Sequence, residues 1–190
     1  NSFRPPLMKY IIDPVHGFTP IDGGLITTLV KHPLFQRLTR IRQLGVEGIV
    51  YPGAQHTRFQ HSLGAYHLTR QAIAALEVKG VSLEPKEREG LLAAILLHDV
   101  GHGPFSHVLE NVIIPNVSHE RISQMVMERI NCELGGALND AIDIFTDRHP
   151  KHFLHELISS QLDMDRLDYL CRDSFFTGVR EGNVGAARII

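Results

Sequence analysis

Histidine and aspartate side chains are concentrated in one short segment of this sequence, His98-Asp99-Val100-Gly101-His102-Gly103-Pro104-Phe105-Ser106-His107. Imidazole nitrogens and carboxylate oxygens together suit a divalent cation of the Zn, Mn, Fe or Ni kind. The preceding residues 91–97 are all apolar and are typical of a buried helix. A polar pair at the end of such a helix is costly to bury without a partner, and a metal ion would supply one.

Further ligands for a metal must come from other elements of the chain. His61 lies near the start of a predicted long helix, and Asp165 lies on a later one. Together with His98 and Asp99 they would give two histidines and two aspartates. Such a set leaves coordination positions open for water and substrate, as a catalytic metal site requires. Residue type alone leaves open that each single histidine is an ordinary core or surface residue.

The composition predicts one folded domain and gives little indication of a general charged surface. The chain has 190 residues, of which 43% are hydrophobic and 21% charged, and its formal net charge is -2. This is enough for a sizeable core, and the near-neutral charge does not favour broad binding to nucleic acid or membranes. Arg37, Arg40 and Arg42 could meet phosphates or form a solvated helix face.

The elements that must position these residues are mostly helical. An extended segment at 9–17 ends in a Pro14 and Gly17 turn, and 49–53 has an extended pattern. Apolar spacing and capping residues predict helices near 24–44, 59–79, 85–97, 104–112, 119–131, 136–146, 152–160 and 163–175. We therefore expect an all-α fold with a small N-terminal β-hairpin. Residues 1–7 read as a leader or tag-like segment, and 8–190 as the N-terminal part of a longer protein.

The two cysteines, Cys132 and Cys171, form no CxxC pair and no closely spaced framework. We interpret them as reduced thiols. The sequence has no signal-peptide pattern and no apolar run long enough to span a bilayer, so a cytoplasmic location is expected.

The order His61, His98-Asp99, Asp165 resembles the H…HD…D signature of HD-domain phosphohydrolases. The resemblance extends to Asp13-Pro14-Val15-His16-Gly17, Phe35-Gln36-Arg37-Leu38, Gln43-Leu44-Gly45, Tyr51-Pro52-Gly53-Ala54, Arg58 to Gly64, His98 to His107, and Asp168-Tyr169-Leu170-Cys171-Arg172-Asp173. These blocks resemble one branch, the bacterial dNTP triphosphohydrolases and the mammalian dNTPase with a SAM and an HD domain. The likeness is collinear from residue 8 to about residue 180, and it implies an HD-domain helical bundle.

The resemblance implies one divalent metal per chain, Mn, Fe, Ni, Zn or Mg, held by His61, His98, Asp99 and Asp165. It also implies a dNTP substrate, hydrolysed at the α-phosphorus to a deoxynucleoside and inorganic triphosphate. The leaving 5′-oxygen needs a proton, for which His107 is the best candidate. Glu110 is three residues further along a predicted helix, where it could orient His107 and raise its pKa.

Further site residues follow from the same resemblance. His102 and His119 are expected to contact phosphate, and Arg58 and Arg166 to clamp it. Ser118 is a good N-cap for the helix that starts at His119, and this capping role could explain Ser118 without any function.

The deoxyribose is expected to meet a second group of residues. The resemblance implies that Tyr169 packs on the sugar and that Asp173 accepts a hydrogen bond from the 3′-hydroxyl. Gln43 is expected to read the same hydroxyl. A core aromatic at position 169 and a helix-terminal amide at position 43 are the structural alternatives.

Two other functions compatible with the same fold remain open. One is a different HD-fold phosphohydrolase, such as a nucleotidase or a phosphodiesterase; the other is a non-catalytic nucleotide-binding scaffold. The family further implies a homo-oligomer, a dimer or tetramer, without a membrane partner. Nucleic acid is a conceivable partner that no feature of the sequence supports.

Overall fold

The structure, a computed structural model, describes residues 9–105, 117–182 and 184–190. Within these ranges it describes every side chain except those of residues 181 and 187. The expected leader over 1–7 and most of the expected helix at 104–112 lie outside these residues. Among the described residues, no helix combines the length and the apolar character needed to cross a membrane.

An antiparallel hairpin opens the described chain, as predicted. Strand β1 (Lys9–Asp13) pairs with β2 (Gly17–Ile21), with Asp13 opposite Gly17. The Asp13 carboxylate accepts hydrogen bonds from the backbone N–H groups of Val15 and His16, which closes the turn. Gly17 has φ +75°, a left-handed conformation that glycine adopts without strain.

The predicted helical segment at 24–44 forms as short pieces. Helix α1 spans Leu25–Lys31 and α2 spans Pro33–Gln36, followed by a 3-10 helix at Arg37–Arg40. His32 is extended between α1 and α2 because the proline that follows it disfavours helical backbone. Over 49–53 the expected extended piece is wrong, since a 3-10 helix occupies Gly45–Ile49, whereas the turn expected with it is present at 52–53.

Two long helices form the centre of the fold. Helix α3 spans Arg58–Val78 and α4 spans Pro85–Leu97, close to the predicted bounds. Residues 90–97 of α4 are all buried, because α4 packs between α1, α3 and a later helix. This all-round burial explains why its apolar run lacks an amphipathic pattern.

The remaining helices surround α4 and complete the site. Helix α5 spans His119–Glu133, α6 Asn139–Phe145, α7 Phe153–Glu156, α8 Met164–Thr177 and α9 Ala186–Ile189, with a 3-10 turn at Arg180–Gly182. Helix α6 packs on α4, and α8 packs along α3. Helix α7 is shorter than the predicted 152–160, because the chain turns at Ser160 to reach the N-cap Asp163 of α8. The described fold is helical with one hairpin, as expected.

Candidate metal centre

His61 is positioned by the first turn of α3. Thr57 caps this helix: its side chain accepts from the backbone N–H of Gln60, and the Gln60 side chain accepts from the backbone N–H of Thr57. This reciprocal capping box fixes where the helix begins. His61 therefore lies one turn inside α3 with its ring buried.

His98 and Asp99 follow directly after the last residue of α4. His98 Nδ1 donates to the carbonyl oxygen of Ile95 at 2.6 Å, which turns Nε2 toward the other ligands. Ser123 of α5 braces the turn, because its hydroxyl donates to the His98 carbonyl at 2.7 Å and accepts from Gly101 N–H at 2.8 Å. A Cβ on Gly101 would lie 2.3 Å from the backbone nitrogen of Ser123, so α5 can approach this closely only because the position is glycine.

Arg37 braces the same turn from the other side. Its guanidinium donates to the backbone carbonyls of Val100 and His102. Arg37 is thus engaged with the main chain, where the sequence left open a contact with phosphate.

Three predicted ligands, His61, His98 and Asp99, lie together, and the fourth, Asp165, lies beside the two histidines. The Nε2 atoms of His61 and His98 are 3.3 Å apart, and Asp165 Oδ1 lies 2.8 Å from the first and 3.4 Å from the second. Asp99 Oδ1 lies 3.5 Å from His98 Nε2, and its Oδ2 lies 3.8 Å from His61 Nε2. His61, His98 and Asp99 offer ligand atoms within 4.8 Å of one another and could hold a metal ion.

Hydrogen bonding prepares both histidines to bind a cation. His61 Nδ1 lies 2.7 Å from Asp168 Oδ2, so the ring donates from Nδ1, and Nε2 is the atom that a cation can bind once it has displaced the proton there. Burial alone lowers the pKa of His61, but hydrogen bonds to Asp165 and Asp168 outweigh it and raise the pKa to about 10. Two buried imidazoles, the buried carboxylate of Asp99 and the partly exposed carboxylate of Asp165 form a donor set that a divalent cation fits.

His102 and His119 lie beside this centre. Their rings stack with centroids 4.1 Å apart, and His102 Nε2 is 3.2 Å from Asp99 Oδ1. Burial, together with the nearby charges of Arg58 and His119, lowers the pKa of His102 to about 4. A neutral His102 can donate to Asp99 and orient it.

A cavity of about 230 Å³ lies next to the centre. Its lining includes four of the five residues expected to bind substrate: Gln43, Arg58, Tyr169 and Asp173. The fifth, Arg166, does not line it; its side chain is exposed and donates to the backbone carbonyl of Gln161. The segment at 41–43 runs antiparallel to 56–58, which places Gln43 beside the start of α3.

Two polar side chains, one in the cavity wall and one behind it, bear on ligand binding. The Gln43 Oε1 atom is buried and has no hydrogen-bond partner among the described residues, so it is available to a ligand donor. His56, which sequence reasoning missed, donates from Nε2 to Asp173 Oδ1 at 2.7 Å and stacks on Phe176 with centroids 4.7 Å apart. Its position beside the capping residue Thr57 is the one sequence signal that could have identified it.

A buried polar network behind His61 was also missed. Arg172 donates to both oxygens of Asp168 and to both oxygens of Asp13. The spacing of Asp168 and Arg172 by four residues on α8 is a sequence signal for such a pair. His107 and Glu110, the predicted proton donor and its partner, lie outside the described residues.

The sequence matches a protein-family model described as the HD domain over residues 58–173. It is 38% identical over 189 residues to the uncharacterized protein YwfO of Bacillus subtilis, covering 96% of this chain and 43% of that protein. It is 33% identical over 213 residues to the human deoxynucleoside triphosphate triphosphohydrolase SAMHD1, covering 91% of this chain and 34% of that protein.

Solved structures give a consistent result. A phosphohydrolase from Bacteroides thetaiotaomicron superimposes with a TM-score of 0.94 at 63% identity, over 96% of this chain and 45% of that one. A hypothetical protein from Aquifex aeolicus superimposes with a TM-score of 0.77 at 34% identity, over 92% of this chain and 48% of that one. The chain spans between a third and a half of the length of these relatives.

Proposed function

Because the chain belongs to the HD domain family, we propose that it is a metal-dependent phosphohydrolase that cleaves dNTPs to deoxynucleoside and inorganic triphosphate. One observation carries this proposal: a cluster of two histidines and two aspartates adjoins a cavity lined by Gln43, Arg58, Tyr169 and Asp173. A cation site beside a pocket with both cationic and hydroxyl-reading groups suits a phosphorylated sugar.

His61, His98, Asp99 and Asp165 would hold one divalent cation, with Mn, Fe, Ni, Zn and Mg all compatible with these donors. When bound, it supplies Lewis acidity toward a phosphate oxygen and toward water. Asp168 and the Ile95 carbonyl keep the two imidazoles turned with Nε2 toward that cation. The ligand role of each residue is part of the proposal.

Substrate phosphates would be bound by Arg58 and by the histidine pair, His102 and His119. Arg58 is buried, lines the cavity and donates to Asp99, which supports its role as a clamp. Arg166 would reach a phosphate by giving up its hydrogen bond to the Gln161 carbonyl. This hydrogen bond is exposed to solvent, so breaking it costs little free energy.

The sugar would be read by Gln43, Tyr169 and Asp173. The buried Gln43 Oε1 can accept from a 3′-hydroxyl, and His56 holds Asp173 at the cavity edge. Tyr169 packed close to C2′ would leave little room for a ribose hydroxyl. SAMHD1 proteins from human, cattle and chicken are named deoxynucleoside triphosphate triphosphohydrolases, which supports the same substrate here.

The reaction needs a proton at the leaving group. The oxygen of a water molecule bonds to the α-phosphorus and this water releases a proton to solvent, while the bond from phosphorus to the 5′-oxygen breaks and the 5′-oxygen takes a proton. We assign that proton to His107, oriented by Glu110, on the basis of the family resemblance.

The proposal includes self-association as a homo-oligomer in the cytoplasm. Ile12 and Phe18, opposite each other on the hairpin, are 73% and 68% exposed, an apolar face that a second copy could cover. Two free cysteines fit a reducing compartment.

Turnover of dGTP in ¹⁸O-labelled water, with Mn²⁺ present, tests the function. The proposal predicts deoxyguanosine and triphosphate, with the label in triphosphate, and slower hydrolysis of GTP. Monophosphate or diphosphate products would indicate a different phosphohydrolase, and retained dGTP binding without turnover would indicate a binding scaffold. Either result would overturn the proposal.

A further inference from the structure

The N-terminal hairpin reaches the metal centre through buried side chains. Asp168, which holds the Nδ1 side of His61, is shared with a second histidine: His16 Nε2 lies 2.6 Å from Asp168 Oδ1. His16 belongs to the hairpin turn, 152 residues before Asp168 in sequence. One carboxylate therefore accepts from a predicted metal ligand and from the hairpin.

Arg172 joins the same carboxylate to the hairpin by a second route. Its Nε donates to Asp168 Oδ2 at 2.9 Å, and its Nη1 donates to Asp13 Oδ2 at 2.8 Å. Asp13 is itself fixed, since its Oδ1 accepts from the backbone N–H groups of Val15 and His16. Arg172 and Asp168 are fully buried and Asp13 is nearly so, which excludes water as an alternative partner for most of these bonds.

The charges of this network depend on the cation. One guanidinium faces two carboxylates, Asp13 and Asp168, so the group keeps a negative charge when both histidines are neutral. A cation on the far side of the His61 ring would balance it. The cation would thus compensate the net negative charge of Asp13, Asp168 and Arg172, which would be costly to bury without it.

Close packing leaves Asp168 little freedom. Helices α3 and α8 approach so closely at Gly64 that an added Cβ would lie 1.9 Å from Asp168 Oδ1 and 2.3 Å from Arg172 Nη2. The carboxylate is held from α3, from α8 and from the hairpin turn at the same time.

We propose that Asp13 and His16 are positioning residues of the metal centre, which act through Asp168 to hold the His61 ring in its ligand orientation. The inference rests on the metal centre of the proposed function, but not on the identity of the substrate. The hairpin would then be part of the site, although it precedes the first ligand by more than forty residues.

Metal affinity distinguishes positioning from a general contribution to stability. We would measure Mn²⁺ binding by calorimetry, and the visible spectrum of Co²⁺, on wild type, His16→Leu and His16→Gln. Losing the direct partner of a metal-binding histidine weakens binding by about tenfold to a hundredfold. His16→Leu keeps that partner, Asp168, and removes only its support, so we expect Mn²⁺ affinity to fall by up to about tenfold and the Co²⁺ bands to shift. The amide N–H of glutamine can still donate to Asp168, so His16→Gln should restore most of the affinity.

Tyr66→Phe is the matched control. In the wild type, the Tyr66 hydroxyl forms hydrogen bonds with Asp22 at the other end of the hairpin and none with Asp168 or Arg172. This variant should lower the unfolding temperature while keeping the wild-type Mn²⁺ affinity and Co²⁺ spectrum. A structural role of His16 alone would make His16→Leu behave in the same way.

A second variant covers the case in which His16→Leu does not fold. Asp13→Asn keeps the shape and the turn acceptor but removes the charge that faces Arg172, and we expect weaker Mn²⁺ binding. Wild-type affinity and spectrum in the folded variants would overturn the inference while leaving the metal centre intact. Absence of Mn²⁺ binding in wild type would overturn the metal centre and the inference together.

Discussion

Arg58 donates from Nη1 to Asp99 Oδ2 at 2.6 Å, and both side chains are buried. Arg58 is the first residue of α3, and Asp99 follows the end of α4, so this pair joins the two helices at the wall of the cavity. Burial disfavours a charged Asp99, yet His98 and the other cationic neighbours hold its pKa well below the usual range. Arg58 therefore holds Asp99, a proposed metal ligand, and also lines the cavity in which we propose that the substrate binds.

Replacing Arg58 separates these two roles. We expect Arg58→Gln to keep bound metal, because the four ligands remain, and to lower kcat/KM for a dNTP by about tenfold to a hundredfold. This corresponds to the roughly 1.5–3 kcal/mol of a hydrogen bond to a charged group. Steady-state kinetics with elemental analysis would measure both effects. Arg70→Gln is the control, because Arg70 lies on the same helix as Arg58 but forms a partly exposed ion pair with Asp22. Equal kinetics in the two variants would contradict the substrate-binding role of Arg58.

Metal binding should depend on pH because of His61. With no cation bound, burial lowers the pKa of His61, but hydrogen bonds to Asp165 and Asp168 raise it to about 10. The unfolded value is about 6.5, so the proton on His61 stabilises the fold below about pH 6.5 and this stabilisation is lost as pH rises toward about 10. A cation must displace the same proton, so its affinity rises over that window.

Thermal unfolding tests this sign directly. We would compare protein in EDTA with protein in Mn²⁺ at about pH 6 and about pH 8.5, on either side of the ordinary histidine range. The increase in Tm caused by Mn²⁺ should be larger at the higher pH. An equal or smaller increase there would show that His61 carries no proton to displace.

Gly64 should tolerate no side chain. A Cβ at this position would lie 1.9 Å from Asp168 Oδ1, inside a contact between α3 and α8 that has no room to open. We expect Gly64→Ala to lower the free energy of unfolding by about 3 kcal/mol or more, at the upper end for overpacking. Gly23→Ala, where an added Cβ meets nothing within 4 Å, should change it little in the same urea titration. Equal stability of the two variants would contradict the close contact between the two helices.

Replacing Ser123 should lower the free energy of unfolding more than replacing an exposed helix serine would. Its buried hydroxyl bridges the His98 carbonyl and the Gly101 N–H, so Ser123→Ala leaves a donor and an acceptor unsatisfied. The expected loss is about 1–3 kcal/mol of unfolding free energy, with weaker metal binding. Denaturant titration and calorimetry would measure these. Ser159→Ala, at an exposed position, is the control.

The pair His98 and Asp99 could be predicted from the sequence because its signal is local, whereas the choice of His61 depended on the family resemblance. An apolar run ending in His-Asp requires a partner for two polar groups, and the structure brings these three together as a group able to hold a metal. Asp165 lies close to both histidines, and its ligand role stays a prediction. The long helices were predictable for the same reason, since α3 carries a capping box and α4 begins at Pro85.

Long-range relationships could not be predicted. Asp13 and Arg172 are 159 residues apart, and no local pattern indicates that they share a buried hydrogen bond. The segment containing Phe35 and Leu38 has helical spacing, yet it forms an α-helical turn that buries Phe35 and then a 3-10 turn that buries Leu38. Apolar periodicity indicates which side of a segment faces the core, but it does not indicate whether the segment forms one continuous helix or several short ones.

The central claim is that this cluster binds a metal that the reaction requires. Elemental analysis of wild type, Asp99→Ala and Asp143→Ala, paired with triphosphate release from a dNTP, tests it most directly; Asp143 is an exposed aspartate paired with Arg148 and is the control. We predict about one metal per chain and triphosphate release in wild type and Asp143→Ala, with both lost in Asp99→Ala. Wild-type protein without metal after reconstitution, or Asp99→Ala with undiminished triphosphate release, would contradict the account.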